Sequence, residues 1–404
     1  MSDLLYLDTA RLGRMSPTAQ RAEIAFVSLA AGEGNSAYFE RFVRRGLREC
    51  PLAREERYAG LGHWAGVGEF KQSLRRLAGH DLELPVLLAH RSAQLMKLAA
   101  RAMSRSCRNV LVTDLGWPGY HEILEREAQR ANRSVTTVEV RAEILSGRLC
   151  EAELIDRLCA AFDHGRCDGL FLSAVSNWGV RLPVERIVRR LEATHRVWFV
   201  VVDGAQEFCH APGRLEAGYC DLYLSGCHKW LGAHHPMGLA FYGRRWSRGV
   251  IDTIAEEMTA AGDLDDPLLR FSALLDSGAV GVMETLNLMP LFTARAAIED
   301  AGADAAVSQR IENARVATSV AEAAGWHPLL PDEPLRSGIL LLEGERPATR
   351  AAAPDTLRTV LRDSGVAATA YTGGLLRLSM PPTGFTFDER DCLSRALTRT
   401  AQLV

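Results

Sequence analysis

The stretch from Val197 to Tyr242 decides the fold, and it runs VWFVVVDGAQEFCHAPGRLEAGYCDLYLSGCHKWLGAHHPMGLAFY. An apolar run of strand length ends at Asp203, and a second apolar run follows the pair His228-Lys229. A carboxylate at the end of a buried strand is costly unless a cation pairs with it. A lysine amine on a nearby turn can form a Schiff base with an aldehyde. The stretch therefore predicts a site for an aldehyde cofactor.

Short apolar strands alternate with helices on both sides of this stretch, which is typical of a mainly parallel sheet covered on two faces. We predict strands at 86–89, 109–113, 134–140, 169–173, 197–202, 222–224 and 239–242, with helices at 92–105, 118–132, 151–163 and 183–194. The fold class is therefore α/β. Such sheets bind ligands at the carboxyl ends of their strands.

The flanking segments indicate a second, smaller α/β domain. We predict helices from Pro17, over 36–49, 67–78, 281–302, 304–325 and 354–364 and from Asp388, with strands at 339–342, 366–370 and 375–379. A polar connector follows Tyr242, and an extended arm precedes the first helix. We expect a large cofactor-binding domain at 17–280 and a small domain formed by 281–404 with the arm 1–16.

Composition argues against several classes of protein. The chain has 404 residues, which suits two domains, and its net charge of −3 does not favour nucleic acid or an anionic membrane as partner. The N-terminal segment lacks the apolar core of a signal peptide, and the apolar runs are too short for a membrane span. The nine cysteines form no CxxC pair, so we expect reduced thiols, a cytoplasmic location and no metal site.

Lysine is rare in this chain. Only Lys71, Lys97 and Lys229 are lysines among 47 basic residues, and a coding bias toward arginine explains that count. A lysine most often lies on the surface. Lys229, however, follows a predicted strand at the sheet edge where ligands bind, and a guanidinium could not replace its amine in a Schiff base. It is the candidate for attachment of pyridoxal phosphate.

Each of the other candidate residues near strand ends has two interpretations. Asp203 could cap the following turn, or pair with a protonated pyridine nitrogen and so keep the cofactor ring an electron sink. Ser92 and Ala93 open a helix whose free N–H groups suit a phosphate, although an ordinary cap is commoner. Trp117 could stack on the ring or anchor the core. Asn177 could reach the phenolate oxygen of the cofactor or form a turn.

Two further side chains extend this set. Gln206, one turn after the aspartate, could donate to the phenolate oxygen. Arg377 lies inside an apolar strand, GLLRLSM, of the second domain. A guanidinium buried there needs a carboxylate partner, which is either a structural Asp or Glu or an amino-acid substrate.

Together these motifs resemble the class V aminotransferase family of fold-type I pyridoxal-phosphate enzymes, which includes cysteine desulfurases, selenocysteine lyases, kynureninases and isopenicillin N epimerases. VVVDGAQ is similar to the aspartate motif of the family and HKW to its lysine motif, with VSNWG before them and LRLS after them. The resemblance extends from LYLDTARLG to RLSMPPTGFTFDE.

The resemblance assigns a role to each candidate. It implies catalytic roles for Lys229, Asp203 and His228. It implies cofactor contacts for Ser92, Ala93, Trp117, Asn177, Gln206, Ser225 and Ser277, and a substrate contact for Arg377. It also implies a homodimer with active sites at the interface, in which the segment around Ser277 reaches the phosphate of the partner.

The chain departs from the family pattern at three places. Gly226 stands where the family often has a phosphate-binding Ser or Thr, and Ser225 is one position further from the lysine; this favours the isopenicillin N epimerase branch. The stretch VAATAYTGGLLR lacks the nucleophilic cysteine of desulfurases. GAHHP is longer than the usual turn, so His234 and His235 could face substrate, although a structural role is commoner.

We therefore expect an enzyme that acts on an α-amino acid or related amine through an external aldimine, with aminotransferase-type chemistry in a specialised biosynthetic pathway as the first choice. A β-eliminating C–S lyase and an epimerase remain alternatives, because fold and cofactor do not choose among these reactions. A non-catalytic protein that binds the cofactor or a partner is the alternative of another class. The intact set Lys229, Asp203 and Arg377 argues against it.

Overall fold

A seven-stranded sheet forms the centre of the molecule in the computed structural model, which describes residues 4–33, 42–47, 56–80, 83–213, 215–276, 286–301 and 304–403. Its strands are β2 (Val86–Ala89), β3 (Asn109–Thr113), β4 (Ser134–Val138), β5 (Gly169–Ser173), β6 (Phe199–Asp203), β7 (Leu222–Gly226) and β8 (Gly238–Tyr242). The spatial order is β2-β8-β7-β6-β5-β3-β4, and β8 runs antiparallel to both of its neighbours. The predicted α/β class with a mainly parallel sheet is confirmed.

Helices cover both faces of this sheet because side chains alternate along each strand. In β6, Val200 and Val202 pack into one apolar cluster, and Phe199 and Val201 pack into another on the opposite face. The α-helices with both ends among the described residues are Pro17–Glu33, Val67–Leu77, Ser92–Ser106, Pro118–Arg130, Arg141–Leu145, Glu151–His164, Val184–Glu192, Arg248–Ala260, Pro267–Asp276, Met289–Asp300, Asp304–Ala323, Pro347–Ala351, Pro354–Asp363 and Phe387–Ala401.

A smaller antiparallel sheet lies in the C-terminal part of the chain. It consists of β9 (Trp326–Leu329), β10 (Ile339–Gly344), β12 (Thr369–Tyr371) and β13 (Leu375–Ser379), in the order β12-β13-β10-β9. The arm contributes β1 (Leu5–Tyr6), which pairs in parallel with β11 (Val366–Ala367). Leu5 and Leu7 are buried in the apolar cluster of this region. The domain bounds themselves stay a prediction.

The segment after β8 differs from the predicted polar connector. It contains the helices Arg248–Ala260 and Pro267–Asp276. The first of these helices buries only Ile251, Ile254 and Met258, in the apolar cluster on one face of the sheet. Because its other positions are largely polar, its apolar stripe is narrow and gives a weak helix signal in the sequence. The strand β9 was also not predicted, and the predicted strand 366–370 is divided into β11 and β12.

Some predictions fall outside the described residues. They include most of the helix predicted at 36–49 and the start of the helix predicted at 281–302, which is described as a helix from Met289. Among the described helices, none is long and apolar enough to cross a membrane.

The arm connects the small sheet to the turn that carries Lys229. There is no room for a side chain at Gly13 in the arm, because a Cβ there would lie 1.9 Å from the carbonyl oxygen of Lys229. The Gly13 N–H donates to the carbonyl oxygen of His228 at 2.7 Å, and the Ala10 N–H donates to Ser379 Oγ at 3.0 Å. The arm therefore packs against both parts of the chain beside the predicted site.

Candidate active site

A cavity of about 710 Å³ opens at the carboxyl ends of β5, β6 and β7 and is closed by β12, β13 and the arm. Parallel strands bring residues that are far apart in sequence to the same edge of a sheet. Nine residues named from the sequence line this cavity, namely Ser92, Ala93, Trp117, Asn177, Asp203, Gln206, His228, Lys229 and Arg377. Their roles stay predictions, but the fold brings them together.

Asp203 and Lys229 form the charged centre of the cavity. Asp203 ends β6, and its Oδ1 accepts a hydrogen bond of 3.0 Å from the Ala205 N–H. Burial raises the pKa of Asp203, and the neighbouring Lys229 amine opposes that rise. Burial lowers the pKa of Lys229 to about 8, against the attraction of Asp203 and with a contribution from Arg377. A larger fraction of Lys229 than of an ordinary lysine is therefore the neutral, nucleophilic amine near neutral pH.

The neighbouring histidine is neutral. Burial, with the charge of Lys229 next in size, lowers the pKa of His228 to about 4. Its Nδ1 is buried and has no hydrogen-bond partner among the described residues. A Cβ at Gly226 would lie 3.2 Å from that nitrogen, so the glycine leaves room for the imidazole where a larger residue would crowd it. His228 Nδ1 is thus available to a ligand.

The start of the helix Ser92–Ser106 lies at the same cavity as His228 and Gly226. It packs closely on β8, since a Cβ at Gly238 would lie 2.5 Å from the Ser92 nitrogen. The first N–H groups of a helix have no intrahelical acceptor, and its dipole favours an anion there. This end of the cavity has the chemistry of a phosphate site.

Gln206 has partners that the sequence did not predict. Its Nε2 donates to the Ala10 carbonyl oxygen at 2.8 Å, and its Oε1 accepts from Trp230 Nε1 at 2.8 Å. Trp230 in turn stacks on His210 with ring centroids 3.7 Å apart. The amide therefore ties the arm to the lysine turn, and its contact with a cofactor stays a prediction.

Asn177 and Trp117 differ in exposure. Asn177 Oδ1 is buried without a hydrogen-bond partner among the described residues, so it is free for a donor on a ligand. Trp117 is 53% exposed and lies at the cavity mouth, directly before the helix Pro118–Arg130. Tyr120, one turn further, also lines the cavity but is buried, and burial raises the pKa of its hydroxyl. The sequence analysis did not single it out, although its spacing from Trp117 places both on one helical face.

Arg377 is buried in β13 with only part of its hydrogen-bonding capacity used. NH1 donates to the Asn177 carbonyl oxygen at 3.2 Å, and NH2 donates to Thr369 Oγ1 at 3.2 Å. The nearest carboxylate oxygen is Asp8 Oδ1, 3.9 Å from NH2. Arg377 Nε has no hydrogen-bond partner among the described residues. A structural acid, Asp8, therefore lies near Arg377, as one interpretation expects. The arginine also keeps hydrogen-bond donors for a substrate carboxylate, as the other expects.

Three predicted site residues are not placed at the cavity. Ser225 is buried in β7 and donates to the Gly204 carbonyl oxygen at 3.4 Å. Because strand side chains alternate, it faces away from the side on which Gly226 lines the cavity. His234 has its Nδ1 3.0 Å from the Gly13 carbonyl oxygen and, with φ 63°, belongs to the turn that holds the arm. Ser277 lies outside the described residues.

The residues present fit pyridoxal phosphate. A lysine with a lowered pKa, a buried carboxylate and a helix N-terminus line one cavity, as the cofactor requires for its aldehyde, ring nitrogen and phosphate. Three buried polar atoms without partners among the described residues belong to residues that line it, namely His228 Nδ1, Asn177 Oδ1 and Arg377 Nε. The fold and this set define a fold-type I pyridoxal-phosphate enzyme.

Residues 69–245 match the family model described as aminotransferase class-V. The match confirms the predicted resemblance, and it agrees with the predicted enzyme class and with pyridoxal 5′-phosphate as the cofactor. The matched segment contains β2 to β8, and therefore the strand that ends at Asp203 and the turn that carries Lys229.

Solved structures with the same fold cover almost the whole chain. The cysteine desulfurase CsdA from Escherichia coli has a TM-score of 0.71 and 18% identity, covering 99% of this chain and 95% of its own. Alanine–glyoxylate aminotransferase from Nostoc sp. has a TM-score of 0.67 and 16% identity, and the match covers 99% of this chain and 96% of its own. A C-DES mutant with glycine covalently linked to its PLP cofactor has a TM-score of 0.69 and 14% identity, covering 100% and 97%. No curated protein sequence gives a significant match.

Proposed function

We propose that this chain transfers an amino group from an α-amino acid or related amine, as an aminotransferase-type enzyme of a specialised biosynthetic pathway. The observation that carries the proposal is the lowered pKa of Lys229, about 8, in one cavity with buried Asp203 and Arg377. A near-neutral amine is what covalent catalysis by lysine needs. The buried guanidinium offers donors to a substrate carboxylate.

Each residue has a separate task in this proposal. Arg377 binds the α-carboxylate through its free Nε–H and the remaining hydrogens of its terminal nitrogens. That contact holds the substrate Cα near Lys229. When released from the aldehyde, the neutral Lys229 amine removes the proton from Cα, because its lowered pKa leaves it unprotonated in part at neutral pH.

Pyridoxal phosphate, when bound, supplies an aldehyde for the substrate amine and a ring that withdraws electrons from Cα. Asp203 holds a proton at the pyridine nitrogen through charge pairing, which its buried position strengthens. His228 and the start of the helix Ser92–Ser106 hold the phosphate. The Lys229 amine, next to Cα, would carry the proton that it has removed from that carbon until the proton is returned.

β-Elimination is the second candidate, because cysteine desulfurases are among the proteins of the same fold. A persulfide-forming reaction is not favoured. No cysteine lines the cavity among the described residues, and the hairpin before Arg377 carries none. Elimination would therefore release its sulfur or other leaving group directly. Epimerisation uses the same proton removal and differs only in the face to which the proton returns.

Product analysis separates these reactions. Protein loaded with pyridoxal phosphate is incubated with an amino-acid panel, with and without a 2-oxo acid acceptor, and the products are identified by chiral chromatography and mass spectrometry. Amino transfer gives oxo acid beyond one equivalent of enzyme only in step with amination of the acceptor. Ammonia and an oxo acid without acceptor would favour the lyase, and D-isomers the epimerase. Cofactor binding with no product from any substrate would favour a non-catalytic protein.

We also propose a cytoplasmic homodimer with active sites at the interface, in which Ser277 reaches the phosphate of the partner. Light scattering of the purified protein measures the oligomeric state directly. A monomer that retains full activity would contradict the proposal.

A further inference from the structure

We propose that the substrate carries a second anionic group, a side-chain carboxylate, and that Arg11 and Arg358 select it. This inference rests on the proposed function and adds the class of substrate. It starts from arginines that line the cavity but have no part in the chemistry described above.

Charge is unevenly distributed around the cavity. Among the described residues that line it, Asp203 is the only carboxylate, and it interacts with Lys229. The arginines that line it are Arg11, Arg91, Arg358 and Arg377. Arg91 directly precedes the helix start and lowers the pKa of His228, so it belongs to the phosphate end.

The other three arginines act on one place. Arg11, Arg358 and Arg377 line the same cavity, and Arg377 NH2 lies 3.9 Å from Asp8 Oδ1 on the arm. Burial raises the pKa of Asp8, and Arg377, Arg11 and Arg358 each oppose that rise. Since Coulomb interactions weaken with distance and screening, this agrees with three guanidinium groups in one region of the cavity.

The charges in this region are not balanced by the protein. Asp8 accepts a hydrogen bond from Thr369 and offsets one guanidinium. In the proposed function, the α-carboxylate of the substrate offsets the charge of a second guanidinium. Arg358 contacts Asp355, but that carboxylate is 85% exposed, so water screens the pair. One positive charge remains for a further anion.

Arg11 is the residue best placed to meet that anion. Its backbone N–H donates to the Asp8 carbonyl oxygen, which holds it in the turn of the arm. Its guanidinium forms no hydrogen bond or ion pair with any of the described residues. A bidentate contact with a carboxylate would satisfy it. A substrate bound by Arg377 through its α-carboxylate would extend its side chain along the same region.

The test compares acids with amides of the same shape. Binding of L-aspartate and L-asparagine, and of L-glutamate and L-glutamine, is measured by isothermal titration calorimetry on protein loaded with pyridoxal phosphate. The acid of at least one pair should bind roughly tenfold to a hundredfold more tightly than its amide, as expected for a charge-assisted contact. Arg11→Gln should abolish that preference, and Arg358→Gln should reduce it.

Arg14→Gln is the matched control. It removes an arginine from the same arm whose NH2 donates to the Leu4 carbonyl oxygen and which does not line the cavity. Long-range attraction of anions would weaken similarly in both arm variants, whereas direct contact predicts an effect of Arg11→Gln alone. Circular dichroism checks that each variant is folded.

The outcomes separate the two proposals. Equal affinity for acids and amides, or equal effects of Arg11→Gln and Arg14→Gln, would overturn the assignment of an acidic substrate and leave the proposed amino-acid chemistry intact. If no amino acid of any type bound the loaded protein, the proposed function itself would fail.

Discussion

At the scale of single residues, burial determines the chemistry of the site. Lys229 and His228 are neighbours in sequence, and burial lowers the pKa of both, to about 8 and about 4. The carboxylate of Asp203 limits the shift of the lysine. The pair therefore combines a lysine that titrates near neutral pH with a histidine that stays uncharged, and two predictions follow from this difference.

Replacement of Lys229 should remove covalent attachment of the cofactor. Lys229→Ala is expected to lose the visible absorption of attached pyridoxal phosphate and to lower turnover roughly a hundredfold or more, because general base and nucleophile are lost together. Lys97→Ala, which changes a lysine outside the cavity, should retain both properties. After borohydride reduction, mass spectrometry should find the cofactor on the peptide with Lys229; a label on another lysine would refute the assignment.

Attachment of the cofactor should depend on pH with a midpoint near the pKa of the buried amine. The neutral amine reacts, so the rate should rise as pH increases through about 8 and level off above it. An ordinary lysine would continue to gain reactivity up to about pH 10.4. Stopped-flow absorbance of the apoprotein mixed with pyridoxal phosphate gives the profile.

The sign of the Asp203 effect offers a further check on this profile. Asp203 raises the pKa of Lys229, so Asp203→Asn should move the midpoint to lower pH. Asp156→Asn, which changes a carboxylate 75% exposed on another face, should leave the midpoint where it is. A shift to higher pH in Asp203→Asn would contradict the electrostatic account.

At the scale of elements, the N-terminal arm is the least expected contributor to the site. Its residues pack against the lysine turn, donate to Ser379 and accept from Gln206. The sequence indicated an extended arm with alternating apolar residues, but local pattern carries no information on what an arm contacts. Ser225 donates to the Gly204 carbonyl oxygen, and His234 lies against the Gly13 carbonyl oxygen of the arm, so their ligand contacts stay predictions.

A methyl group at Gly13 should disturb the lysine turn. The Cβ of Gly13→Ala would lie 1.9 Å from the Lys229 carbonyl oxygen, so the arm must move and the hydrogen bond to His228 is strained. We expect a loss of about 1–3 kcal/mol in unfolding free energy and weaker cofactor binding. Chemical denaturation and fluorescence titration measure these. Gly249→Ala, where a Cβ meets nothing within 4 Å, should be neutral or slightly stabilising, and equal effects would contradict this account.

At the scale of the whole molecule, the active site depends on contacts between segments distant in sequence. The cavity is lined by strand ends of the large sheet, by β12 and β13 and by the arm. The arm itself is held by the pairing of β1 with β11, and by the Ser379 N–H of β13, which donates to the Leu7 carbonyl oxygen. The position of Arg11 and Asp8 relative to Arg377 is therefore a consequence of how the arm packs, and stability and substrate binding should be coupled through it.

Truncation of Leu7 tests that coupling. Leu7 is fully buried in the apolar cluster of the small sheet. Leu7→Ala should lower the free energy of unfolding by about 2–5 kcal/mol and weaken amino-acid binding more than cofactor binding. Denaturant titration and calorimetry provide the two readouts. Ile24→Ala, at a side chain 61% exposed, should change neither, and unaltered stability of Leu7→Ala would show that the arm packs elsewhere.

The sequence by itself determined the α/β class, the order of the central strands along the chain and the identity of Lys229 and Asp203 as the charged pair. Apolar periodicity and strand ends are local signals, and a lysine next to a strand end needs no distant information to be noticed. The same local signals failed in the segment after β8, where two helices stand in place of the predicted polar connector.

Only the tertiary structure decided which side chains meet. In the folded chain the Gln206 amide contacts Ala10 and Trp230, and the Ser225 side chain faces away from the cavity. Arg11 and Arg358 line the same cavity as Arg377. The Gln206–Ala10 contact joins residues 196 positions apart, and Arg11 is also far from Arg377 in sequence, so no local pattern specifies these contacts. The pKa values depend on burial in the same way, because desolvation arises only when the packed domains exclude water from the lysine and the aspartate.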